Sequence, residues 1–146
     1  MYKMFLAAAA ISAMTLHAQA AEPMQAEEAV GSQDVYWVIT FDISDMAKYR
    51  SIVEKLVAAT EKEPGAITYV YTVAPDNKTV DIIERYKDSD AALAHLKTFG
   101  QYQKEWNEVA QPTRFVIYGA ANDDLKKALA GANPTYMQPF AGFLSK

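Results

Sequence analysis

The alternation of side chains between Asp34 and Ile43 constrains the fold of this chain more than any other feature. Every second residue in this stretch is apolar, and the positions between them are mixed. A period of two predicts a β-strand with one buried face, because successive side chains of a strand point to opposite faces. The predicted buried face carries Val35, Trp37, Ile39, Phe41 and Ile43.

The segments after this strand predict the order helix, strand, strand, helix, strand. Ser44 and Asp45 offer N-cap oxygens for a first helix that ends at Glu63-Pro64-Gly65. Two further strands over 66–86, joined by a turn at 75–78, predict a hairpin. The remaining predicted elements are a second helix capped by Asp88 that reaches about Phe99, its continuation past Gly100 to about Val109, a strand over Arg114–Tyr118, and a short helix capped by Asn122 and closed by Gly131.

This order of elements predicts an α+β domain of the ferredoxin-like class. In its split βαβ arrangement, a four-stranded antiparallel sheet carries both helices on one face. We expect one domain over 34–146, with a C-terminal helix and tail at 122–146. The other sheet face is mixed but weakly charged and needs a cover. Face-to-face pairing of two sheets in a homodimer is therefore predicted.

The amino terminus has the pattern of a secretory signal peptide over residues 1–20. Lys3 precedes an apolar run over 4–16, and Ala18-Gln19-Ala20 is a small-x-small cleavage signal. The run is shorter than the roughly 20 residues that span a bilayer, so no membrane anchor is expected. Residues 21–33 predict a flexible leader. We expect export, to the periplasm if the source is a Gram-negative bacterium.

Charge and composition exclude several classes of function. The formal net charge of −4 becomes −5 when the one positive charge of Lys3 is removed with the signal peptide. The longest basic run is Lys126-Lys127, so nucleic acid and anionic membrane are not expected partners. The absence of cysteine excludes disulfides, thiolate metal sites and a cysteine nucleophile.

His95 is the candidate catalytic residue, because removal of His17 leaves it as the sole imidazole. It shares a helical stripe with Ala92 and Phe99, which predicts that it faces the sheet. Glu84 lies on the apolar face of the third predicted strand and is its predicted partner. In a functional interpretation Glu84 fixes the tautomer and His95 takes a proton. In a structural interpretation the pair is a buried hydrogen bond, and the sequence leaves both open.

Seven aromatic residues are predicted to project into the layer between sheet and helices. Packing in the core explains such residues in most proteins. The alternative is that the helix interruption at Gly100 leaves a cavity with aromatic walls, which would suit a flat aromatic substrate. The candidate substrate-binding residues are Trp37, Phe41, Tyr69, Tyr71, Tyr86, Phe99 and Trp106, of which Trp37, Tyr69 and Tyr71 are the predicted walls.

Two stretches resemble the antibiotic biosynthesis monooxygenase domain. They are "EPGAITYVY" over 63–71 and "IIERYKDSDAALAHL" over 82–96, and the similarity extends from about Val35 to Tyr118. The resemblance implies a dimeric α+β barrel. It also implies one of the family's activities, which include cofactor-independent oxygenation of quinols and polyphenols, haem degradation and isomerisation of small carbonyl compounds. Fold transfers through such a resemblance better than function does.

Haem chemistry is disfavoured by departures from the haem-degrading relatives. The stretch "QYQKEWNE" over 101–108 lacks their axial His, the first strand lacks their Asn, and His95 stands about where they carry a Trp. One histidine without clustered carboxylates or thiols is no recognisable metal site, and the Gly-rich nucleotide signatures are absent. We expect no metal and no cofactor.

These observations predict an exported, cofactor-independent monooxygenase that takes dioxygen and a quinol-like or phenolic small molecule. Two alternatives remain. The chain could be a periplasmic small-molecule-binding or stress-related module without catalysis, or an isomerase of small carbonyl compounds, since a base in a small pocket serves either reaction.

Overall fold

The computed structural model describes residues 33–141. The predicted signal peptide, the predicted leader up to residue 32 and the last five residues of the tail lie outside this range. Among the described residues, none of the helices combines the length and hydropathy that a membrane-spanning segment needs. The elements are β1 (Val35–Ile43), α1 (Met46–Thr60), β2 (Ala66–Val73), β3 (Thr79–Tyr86), α2 (Ser89–Gly100), α3 (Gln103–Asn107), β4 (Ala110–Gly119), α4 (Asp123–Ala128), a 3-10 helix (Ala130–Ala132) and β5 (Thr135–Met137).

The strands form one sheet in the order β2-β3-β1-β4-β5. The first four strands are antiparallel to one another where they pair, as the ferredoxin-like prediction requires, and the α+β class is confirmed. The predicted count of four strands is wrong, because β5 adds a fifth that runs parallel to β4. Its three residues are too few for the alternation that reveals a strand in the sequence.

The face of β1 predicted to be buried lies in the core. Val35, Trp37, Phe41 and Ile43 are all less than a tenth exposed. One part of the core joins β1 and β3 to α1 and α3, and a second joins β1 and β3 to α2, β4 and α4. The helices therefore cover one sheet face, and His95 lies between that face and α2.

All three predicted N-caps are present. The side chain of Asp45 accepts a hydrogen bond from the Lys48 amide, at 3.0 Å. Asp88 and Asn122 cap α2 and α4 in the same way. Each such cap stabilises a helix by about 1 kcal/mol. Asp88 caps the helix that carries His95.

Two boundaries differ from the prediction around Pro112. The helical continuation ends at Asn107, and β4 begins at Ala110 rather than Arg114. Pro112 lies inside β4 opposite Phe41, where the register with β1 shifts. A proline has no N–H to donate to the ladder, so within a sheet it is confined to edges and irregular positions such as this one.

Candidate active site

His95 is enclosed by aromatic rings between α2 and the sheet. Its residue is 2% exposed, and its ring centroid lies 5.1 Å from that of Tyr69, 5.3 Å from that of Tyr86 and 6.3 Å from that of Trp37. The sequence placed His95 on the helix face toward the sheet, and the structure agrees. An imidazole buried this deeply needs polar partners for its two nitrogens.

The Nδ1 side of His95 meets Glu63, which the sequence analysis treated only as a helix stop. Nδ1 lies 3.2 and 3.3 Å from the two carboxylate oxygens of Glu63. A carboxylate can only accept a hydrogen bond, so this contact places the ring proton on Nδ1. The second nitrogen, Nε2, is left as an acceptor.

Gly65 explains how Glu63 reaches the imidazole. A Cβ at Gly65 would overlap the Cβ of Ala91, so glycine lets the turn after α1 sit directly on the start of α2. The Gly65 carbonyl also accepts a hydrogen bond from the amide of Lys87, just before α2. Ala91 is one helical turn before His95, and the turn therefore delivers Glu63 to Nδ1.

The Nε2 side of His95 faces Glu84, but without the predicted hydrogen bond. Glu84 Oε2 lies 4.0 Å from Nε2, and the Tyr86 hydroxyl donates to the same oxygen at 2.5 Å. The expectation that Glu84 fixes the tautomer is therefore wrong, because Tyr86 engages that carboxyl oxygen and Glu63 has taken the orienting position. Glu84 remains beside the nitrogen that can accept a proton.

Burial shifts the protonation of both groups toward their neutral forms. It raises the pKa of Glu84 to about 8; the Tyr86 hydrogen bond opposes the shift and the nearby charge of Glu63 adds to it. Burial also lowers the pKa of His95, against the opposing attraction of Glu63. At neutral pH the site therefore holds an uncharged imidazole beside a carboxylic acid.

A cavity of about 680 Å³ opens beside these two groups. It lies between the sheet, α2 and α3, and the C-terminal segment, and the helix break at Gly100 forms part of its wall. This volume is within the range of small-molecule pockets. The predicted site residues that line it are Trp37, Phe41, Tyr69, Glu84, His95, Phe99 and Trp106.

Tyr71 and Tyr86, also predicted to bind substrate, lie behind this wall. The Tyr71 hydroxyl donates to the Tyr69 hydroxyl at 2.7 Å, and Tyr86 donates to Glu84. Burial raises the pKa of both phenols, so they stay protonated. Neither residue lines the cavity, and both hold residues that do.

The far side of the cavity comes from residues that the sequence analysis did not single out. Pro112 and Phe115 belong to β4, and Leu129 follows α4. Small residues of the C-terminal segment complete this side, namely Ala128, Gly131 and Ala132. Their approach depends on the position of α4 against α2, which leaves no local sequence signal.

The site offers acid–base chemistry in apolar surroundings. No three His, Asp or Glu side chains within residues 33–141 are grouped so as to hold a metal ion. Most residues that line the cavity are apolar or aromatic, and the others include His95, Glu84, Lys97, Gln103 and Asn107. Such a site can take a proton from a bound molecule and return one to it.

Comparison with known proteins gives one family match. A family model described as antibiotic biosynthesis monooxygenase matches residues 35–109, which is 75 of the 146 residues. The matched segment contains Glu63, Glu84 and His95. No curated protein sequence matches the chain.

Several solved structures share the fold. MupZ from Pseudomonas fluorescens is 20% identical with a TM-score of 0.71, over 77% of this chain and 95% of that one. SnoaB from Streptomyces nogalater, described as a cofactor-independent oxygenase, is 17% identical with a TM-score of 0.55, over 62% and 95%. A conserved protein from Methanosarcina mazei Go1 is 17% identical with a TM-score of 0.54, over 60% and 92%. At these identities the likeness establishes the fold.

Proposed function

The chain belongs to the antibiotic biosynthesis monooxygenase family, and on that premise we propose that it is a cofactor-independent monooxygenase of a quinol-like or phenolic small molecule. The proposal rests on the position and protonation of the Nε2 atom of His95. It is the acceptor nitrogen of a neutral imidazole on the wall of a cavity of about 680 Å³. The description of SnoaB as a cofactor-independent oxygenase is consistent with this proposal.

In the proposed reaction His95 takes the proton of a phenolic hydroxyl. The imidazolium that forms is stabilised by the Glu63 carboxylate at Nδ1, as an orienting carboxylate stabilises the imidazolium of a catalytic triad. The phenolate left in an apolar cavity is electron-rich and reduces dioxygen directly. The aromatic walls hold the ring and exclude water, which strengthens the electrostatic interactions inside.

Oxygen uptake with a panel of quinols tests this function. We expect uptake by the full processed chain and a loss of roughly 10²- to 10⁴-fold in His95→Ala, the usual contribution of a general base. Asp90→Asn, an exposed change on the same helix, is the matched control and leaves the rate unchanged. Absence of uptake above the buffer rate with every quinol would contradict the proposal.

An isomerase is the second candidate, because a proton acceptor and a carboxylic acid face the same cavity. Moving a proton between two positions of a small carbonyl compound needs these two groups and no oxygen. Turnover of such a compound under argon, lost in His95→Ala, would favour it. Ligand binding that raises the melting temperature without any turnover would instead favour the binding module.

We also propose that a second copy of the chain covers the outer face of the sheet. Val70 and Ile83 pair across β2 and β3 on that face and are 46% and 41% exposed. Neighbouring apolar side chains at this exposure favour a partner surface. Light scattering is expected to give a dimeric mass at micromolar concentration, and a monomeric mass would contradict this.

Export through removal of residues 1–20 is a separate proposal. It rests on the sequence pattern of Lys3, the apolar run and Ala18-Gln19-Ala20. Expression of the full chain in a Gram-negative host is expected to give a periplasmic product that begins at Ala21, measured by intact mass. A product that keeps its first 20 residues would contradict it.

A further inference from the structure

Glu84 is placed differently from every other acidic residue near the site. Of the described residues that line the cavity, it is the sole carboxyl group. It is 3% exposed and has no Lys or Arg partner within residues 33–141. The other carboxyl group at His95, that of Glu63, does not line the cavity. A buried carboxyl without a cation is costly as an anion, so a role in the site is a natural reason to keep one here.

We propose that Glu84 is a proton donor to the oxygen-derived group that forms on the substrate. The inference rests on the proposed function and adds to it a second catalytic residue with a role distinct from that of His95. The Tyr86 hydroxyl occupies Oε2 as a donor, at 2.5 Å. In a carboxylic acid that oxygen is the carbonyl acceptor, and the other oxygen carries the proton that can be given to the cavity.

The first half of the reaction uses one proton from the substrate and one from Glu84. His95 removes the phenolic proton, and two electrons of the phenolate pass one at a time to dioxygen. One oxygen atom bonds to the ring carbon opposite the former hydroxyl. The former hydroxyl itself becomes a carbonyl. Glu84 gives its proton to the terminal oxygen, and the product of this half is a hydroperoxide on a carbon that still bears hydrogen.

The second half restores both groups. The Glu84 carboxylate removes the hydrogen from that carbon as a proton, and the electrons of the C–H bond form a new carbonyl. The O–O bond breaks, and the leaving hydroxide takes the proton of the His95 imidazolium to become water. One dioxygen thus gives one carbonyl oxygen and one water, and His95 and Glu84 return to their neutral forms.

The surroundings of Glu84 favour its protonated form. Burial raises its pKa to about 8, so it carries its proton at neutral pH. The phenols nearby are much weaker acids, because burial raises their pKa as well. The titratable groups whose charges act on Glu84, or on which it acts, are Glu63, His95, Tyr49, Tyr69, Tyr71 and Tyr86. Lys97 lines the same cavity but forms no ion pair with Glu84.

The ratio of quinone formed to oxygen consumed tests this role with 1-naphthol and anthrone as probes, because the ring carbon opposite the hydroxyl of 1-naphthol, or of the enol form of anthrone, bears hydrogen. Wild type is expected to form close to one product per dioxygen. Glu84→Gln keeps the shape of the side chain and an acceptor for the Tyr86 hydroxyl but supplies no acidic proton. The ratio of quinone to oxygen is therefore expected to fall at least tenfold, and the oxygen consumed is expected to appear as hydrogen peroxide. Glu63→Gln is the matched control: it slows uptake and leaves the ratio unchanged.

Wild type supplies a second measurement that does not depend on the folding of a variant. The ratio is expected to fall as pH rises through about 8, where Glu84 loses its proton. A ratio that is unchanged both in folded Glu84→Gln and in wild type up to pH 9 would overturn the role of Glu84 while leaving the proposed function intact. If wild type consumes no oxygen, the proposed function fails and this inference fails with it.

Discussion

Glu63 on the Nδ1 side of His95 and Glu84 on the Nε2 side are held by different parts of the fold. Glu63 comes from the turn between α1 and β2, keeps 13% of its side chain exposed, and contacts the imidazole directly. Glu84 comes from the middle of the sheet, has 4% of its side chain exposed, and is held by Tyr86 rather than by the imidazole. The cavity opens on the Glu84 side.

The difference shows that surroundings, and not residue type, decide what a carboxyl group does here. Near solvent and against an N–H donor, Glu63 acts as a carboxylate that holds the ring proton in place. Away from solvent and without a cation, Glu84 keeps its own proton. One imidazole thereby has a carboxylate at Nδ1 and a carboxylic acid near Nε2, and both the imidazole and the acid line the cavity.

Removing the charge of Glu63 is the strongest way to break this asymmetry. In Glu63→Gln the tautomer is no longer fixed and the imidazolium is no longer stabilised, so kcat for oxygen uptake is expected to fall between roughly 10²- and 10⁴-fold. The Glu63 carboxylate raises the pKa of His95. The acid limb of the pH–rate profile therefore moves to lower pH. A profile unchanged in both height and position would show that Glu63 does not act on His95.

Gly65 tests whether the turn delivers Glu63 to the imidazole. In Gly65→Ala the new Cβ overlaps Ala91, and the free energy of unfolding is expected to fall by about 1–3 kcal/mol. The same shift of the acid limb as in Glu63→Gln should accompany it. Gly100→Ala is the control, because a Cβ there meets no atom within 4 Å. Equal effects of the two substitutions on stability and on the acid limb would contradict the delivery of Glu63 by Gly65.

The Glu84 side predicts a smaller effect on stability, seen between pH 7 and 8. The folded pKa of Glu84, about 8, is above its ordinary value of 4.5, so in this window the folded state binds a proton that the unfolded state has lost. Stability must then fall as pH rises, by roughly 1 kcal/mol over that unit. When it is measured by urea unfolding, the free energy of unfolding of Glu84→Gln should not change between pH 7 and 8. The exposed variant Glu54→Gln should keep the wild-type dependence on pH. A slope that persists in Glu84→Gln would assign it to another group.

Much of this fold can be predicted from local pattern alone. The alternation in β1 identifies its buried face, the caps at Asp45, Asp88 and Asn122 identify helix starts, and the stripe on α2 turns His95 inward. Each of these features depends on neighbours within a few residues, and period and capping chemistry therefore reveal them.

The pairing within the site depends on contacts between distant segments. Glu63 and His95 meet because Gly65, which has no side chain, packs its backbone directly against Ala91, 26 residues away. The sequence shows Glu63-Pro64-Gly65 as a helix end, which is correct locally but says nothing of what the turn contacts. The same limit hides β5 and the residues around Leu129 that close the cavity.

The protonation state of His95 tests the central claim most directly. In the 15N spectrum of the processed protein at pH 7, we expect a neutral imidazole with the proton on Nδ1 and an unprotonated Nε2. Protonation of both nitrogens, or of Nε2 alone, would mean that no acceptor nitrogen faces the cavity and would contradict the account.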